Sequence, residues 1–172
     1  MGAWGAVIMG FFGAVFAALT MAWQCDAHGL LLAAPFGIFA MICVGALLVI
    51  RLPGEGLKPS PQAERAIAWS SAAEGAAIPV ALILLANLHR SEWALPAIAL
   101  IVGLHFVPIG RAAKFPPYLL LAAILVAAAA AGFVVRPPHG GLIAGSASAF
   151  ALWVAAAMAV LRDKRAKLHQ ET

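Results

Sequence analysis

Charge is what this sequence has least of: Asp, Glu, Lys and Arg make up 10% of its 172 residues, where an ordinary soluble domain carries about 25%. That scarcity excludes a water-soluble globular domain. It also argues against a disordered chain, which needs low hydropathy and abundant charge. Cysteine is nearly missing as well, and two residues build no disulfide framework. What fills the chain is apolar, 64% of all positions. Six runs of about 20 residues, each enough to cross a hydrocarbon layer, take up roughly 120 positions. No folded soluble domain fits in the remainder.

The apolar windows fall at 2–22, 29–50, 66–87, 93–110, 117–135 and 141–161. None alternates apolar and polar residues every second position, as barrel strands would. The expected fold is therefore all-α: a six-span transmembrane bundle forming one integral membrane domain over 1–172, with a basic tail at 162–172. Short basic loops stay on the cytoplasmic side of a membrane. One set of connections carries Arg51, Lys58, Arg65, Arg111, Lys114, Arg162, Lys164, Arg165 and Lys167, whereas the opposite set holds Arg90 and Arg136. Both termini are thus expected in the cytoplasm, in a bacterial inner membrane. Because topology distributes the basic residues, the net charge of +4 points to anionic lipid headgroups rather than to nucleic acid. Trp4, Trp23, Trp69 and Trp93 fall at span ends, where indoles anchor at the interface, and Trp153 reads as packing.

The first span has no basic residue before it and no small-residue box before Cys25, so it reads as an uncleaved helix. Helices approach closely in lipid through small side chains. The first span offers Gly10, Gly13, Ala14, Ala17 and Ala18, and the sixth offers Gly141, Gly145 and Ala149. The fifth, with Ala127 to Ala131 and Gly132, reads as filler or a subunit contact, and a homodimer is the candidate assembly. Pro35, Pro79, Pro96 and Pro108 are expected to interrupt the backbone ladder of spans two to four. The Pro- and Gly-rich loop from Arg51 to Arg65 is a candidate boundary between a two-helix and a four-helix unit.

Two ionisable residues lie well inside spans: Glu74 and His105. The link joining their helices is centred near residue 90, so the two sit at matching heights, about 12 Å and about 9 Å from the inner ends. Ser70, Ser71, Ala77, Ile78 and Ala81 share the face of Glu74. A mid-span carboxylate costs about 3 kcal/mol on insertion scales and needs a partner. In one reading Glu74 and His105 bind a proton beside a cavity open to the cytoplasm, Ser70, Ser71 and Arg111 assist, and protonation is linked to transport of an unidentified solute. In the other they only join two helices of a structural or accessory subunit.

The run Gly103-Leu104-His105-Phe106-Val107-Pro108, with an acidic residue in the preceding helix, resembles a motif of small bacterial integral membrane proteins of similar span count. The resemblance covers about one third of the chain and implies no activity.

On the other side, His28, His89 and His139 form a candidate metal set with Cys25, Asp26 and Glu92 nearby, although separate loops supply them without a paired-ligand motif. Enzyme chemistry is disfavoured. Ser146 lies about 7 Å below the outer surface and His105 about 18 Å, a mismatch of roughly 10 Å for a serine–histidine pair. No His-Glu-x-x-His, Walker or dinucleotide motif occurs, no second buried histidine suits haem, and no cofactor is expected.

Overall fold

The computed structural model describes residues 2–135, 137 and 139–169, and among these the chain is helical without strands. Arg136 and residues 170–172, counted above among the outer and tail positions, lie outside the described residues. The helices are α1 (Ala3–Gln24), α2 (Ala34–Ile50), α3 (Pro61–Asn87), α4 (Ala94–Ala112), α5 (Pro116–Val134) and α6 (His139–Leu168). Short 3-10 turns at Gly29–Ala33 and Ser91–Trp93 lead into α2 and α4. With those turns, all six are long and apolar enough to cross a membrane. Their outer surface fits a multi-pass membrane protein: Trp69 is 79% exposed, Met41 74% and Phe150 68%, a greasy exterior that water would not tolerate.

Two helices outrun their apolar windows by more than two residues, for local reasons. Pro61 opens α3 because Ser60 caps it, its Oγ accepting from the Ala63 N–H at 3.2 Å, with proline in the first turn where no donor is needed. Polar Gln62, Glu64 and Arg65 are therefore helical. At the other end α6 continues seven residues past the expected limit of 161, to Leu168. The prolines divide: Pro35 and Pro96 occupy first turns and break no ladder, correcting the expectation for them, while Pro79 and Pro108 are interior.

At the centre stands α6, flanked by α1 and α5 and crossed by α4; α2 packs outside α1, and α3 leans on α4. The small-residue stripes of α1 and α6 meet each other. A Cβ on Gly13 would come within 2.6 Å of the Trp153 ring, and one on Gly145 would run into Thr20 Oγ1. Gly10 instead admits Ile42 of α2. The filler helix α5 is wedged between α4 and α6, with Leu125 and Ala129 wholly buried. Because α1 is joined to α6 along its length, the loop after α2 does not divide the chain into two packing units.

The start of α1 and the end of α6 lie at one face of the bundle, the terminal face. There Asp163 of α6 accepts the Ala3 N–H at the start of α1 (2.9 Å) and the Leu57 N–H of the α2–α3 loop (2.7 Å). One turn on, Lys167 donates to the carbonyl of Ile50, the last residue of α2, at 3.0 Å and to that of Leu52 just beyond it at 2.9 Å. Asp163 is 4% exposed and Lys167 6%. A helix leaves its first N–H groups and last carbonyls unpaired, positive at one end and negative at the other. Here a carboxylate meets the first kind and an ammonium the second.

Candidate functional site

Glu74 lies near the middle of α3 and His105 in the second half of α4. Antiparallel packing across the short link brings them together, with His105 Nδ1 3.1 Å from Glu74 Oε2 and both side chains little exposed. Their closeness is one of distance rather than alignment, because Nδ1 is buried without a well-directed hydrogen-bond partner among the described residues. Beside the pair a cleft of about 260 Å³ separates α3 from α1. Ser71, Glu74, Gly75 and Ile78 form one wall, Val102, His105 and Phe106 a second, and Ile8, Met9 and Phe12 of α1 a third. Leu152 of α6 completes it. Apart from Ser71 and the pair, the lining is apolar.

The interior prolines add polarity at the same place. Pro79 has no N–H for the carbonyl of Gly75, and Pro108 none for that of Leu104. Each of those carbonyls belongs to the residue adjoining one member of the pair. Two helices thus carry a titratable side chain next to a backbone oxygen freed from its helical bond.

The other expected groups separate. The Ser70 hydroxyl donates back along α3 to the Ala66 carbonyl at 2.6 Å and does not line the cleft, whereas Ser71 does. Arg111 is exposed in the last turn of α4, outside the cleft lining. Ser146 donates to the Leu142 carbonyl of its own helix at 2.6 Å. His28 pairs with Asp26 at 3.0 Å, His89 occupies the α3–α4 link with φ 52°, and His139 begins α6. Among the described residues no three of His, Cys, Asp and Glu gather where they could hold a metal ion. The expected histidine set is not brought together there: His28 precedes the turn into α2, His89 lies in the α3–α4 link and His139 is the first residue of α6.

Sequence reasoning passed over Asp163 and Tyr118 and took Lys167 for a base of the tail, whereas all three are buried. A signal for Asp163 and Lys167 was present. Leu152, Ala156, Ala159, Asp163 and Lys167 follow one another at helical spacing and are all buried, so a single inward face runs through the charged segment. Tyr118, 4% exposed, keeps its hydroxyl without a hydrogen-bond partner among the described residues.

Comparison of the chain with protein-family models, with curated proteins and with solved structures finds no match.

Proposed function

We propose that the chain is a bacterial inner-membrane protein with both termini in the cytoplasm, acting as a small proton-linked transporter or channel-like protein. Glu74 is its proton carrier and His105 the group that shares the proton. The observation carrying this reading is the cleft: two adjoining ionisable side chains face an open space rather than a sealed helix contact. Ionisable groups at such depth are retained for function by default. Freed carbonyls beside them, as at Gly75 and Leu104, recur where broken helices line a binding space. The apolar remainder of the lining suits a small, largely apolar solute.

A structural or accessory role is the second reading, and one feature favours it. Across the whole of α3 only Ala63 is buried, so the Glu74–His105 contact is the one ion pair holding this peripheral helix to α4 among the described residues. Glu74→Gln separates the two readings. In vesicles under an imposed pH gradient, with a trapped pH-sensitive dye, the transporter reading expects proton entry to fall to the protein-free rate while thermal stability in detergent is kept. A lowered melting temperature with unchanged proton entry would leave only the structural role.

A further inference from the structure

Tyr118 stands where two concave surfaces meet. One is an apolar groove of about 370 Å³ along α5 and α6, floored by Leu121, Ala151 and Ala155 and walled by Ile124, Val154 and Met158. The other is a pocket of about 670 Å³ at the terminal face, bounded by Lys58, Ser60, Arg162, Arg165 and His169, with no carboxylate among its described lining residues. Phe115, Tyr118, Arg162 and Arg165 belong to both, so the two form one continuous depression. The Arg162 guanidinium lies 3.9 Å over the Phe115 ring, which holds it at the junction.

The shape is that of an amphiphile. From Arg162 to Ala151 the groove follows eleven residues of α6, about 16 Å of rise, close to half of the roughly 30 Å hydrocarbon thickness. It therefore runs from the interface to the mid-plane, the depth of one leaflet. Above it sit cationic side chains and one buried hydroxyl with a proton to donate and no acceptor within the described chain. A buried polar group left unsatisfied calls for a partner, and basic pockets between spanning helices receive anionic headgroups. The geometry points to a site for one anionic phospholipid. Its phosphodiester accepts from the Tyr118 hydroxyl and pairs with Arg162 and Arg165, while one acyl chain fills the α5–α6 groove. The inference rests on the chain lying in a bilayer and is independent of Glu74 and His105.

The test is native mass spectrometry of delipidated protein titrated with phosphatidylglycerol, with phosphatidylcholine of the same acyl chains, and with inorganic phosphate as competitor. Phosphatidylglycerol should be held at least about tenfold more tightly than phosphatidylcholine, and Tyr118→Phe should weaken it by about tenfold, the worth of one hydrogen bond to a charged group. Tyr118→Phe should leave the melting temperature of lipid-free protein unchanged or raised, because it removes an unpaired buried hydroxyl. Lys58→Gln/Arg165→Gln, at two exposed positions, should also weaken phosphatidylglycerol and narrow the preference. Equal retention of the two lipids, unaltered binding in Tyr118→Phe, or displacement of phosphatidylglycerol by inorganic phosphate would each overturn the proposal.

Discussion

Asp163 shows how one side chain can serve two distant backbones. Its carboxylate takes the Ala3 N–H with one oxygen and the Leu57 N–H with the other, while 4% exposed. Asp163→Ala strands both donors. Each bond to a charged group contributes about 1.5–3 kcal/mol, so the variant should lose about 3 kcal/mol or more in denaturant or thermal unfolding in detergent. Asp163→Asn, which keeps one acceptor oxygen, should lose roughly half of that. Net charge alone would predict little change in either. The same residue marks a limit of reading by composition. Arg162, Lys164, Arg165 and Lys167 surround Asp163 and make the segment look like a solvated tail. Which way a charge points depends on helical phase, not on its number. Glu74 and His105 were legible for the opposite reason: they interrupt otherwise apolar spans, and a short link ties the height of one to that of the other, giving an observed separation of 3.1 Å.

At the scale of the helix, glycine decides how near two backbones come. A Cβ at Gly145 would collide with Thr20 Oγ1 and approach Thr20 Cβ to 3.1 Å. Thr20 has no easy retreat, being 4% exposed with its hydroxyl donated to the Phe16 carbonyl at 2.7 Å. Helix propensity alone favours Gly145→Ala by about 1 kcal/mol. Packing has the opposite sign and the larger magnitude, about 1–3 kcal/mol for overfilling a tight contact. Gly145→Ala should therefore lower stability, and adding Thr20→Ala should recover most of the loss in a double-mutant cycle. Helix existence was legible throughout, since six apolar windows map onto six helices. Two ends were not, at Pro61 and Leu168, because a Ser60 cap and an inward-facing acid extend the helices through polar residues that hydropathy assigns to loops.

For the whole molecule, the positions of α1 and α6 put Cys25 and the α3–α4 link at the face away from the termini. Cys25 is exposed there, while Cys43 is partly covered within α2. Under the proposed orientation, a membrane-impermeant maleimide added to intact cells should label the protein, and Cys25→Ala should abolish the label. Labelling only after the cells are opened would reverse the orientation. Which helix neighbours which was not legible. Small-residue stripes say that a face accepts a close companion without naming it, and the choice of α6 by α1 rests on shape matches such as Gly13 against Trp153.

That choice has a consequence in time. The backbone of Ala3 waits for a side chain 160 residues further along the chain, and at about 5–20 residues per second of translation the delay is on the order of 8 to 30 s. Throughout that interval α1 lacks the neighbour it packs against most extensively, and the smooth flank that α6 will cover is open to any passing segment. Whatever shields newborn membrane chains from mispairing must cover this flank until α6 arrives to take its place at the centre.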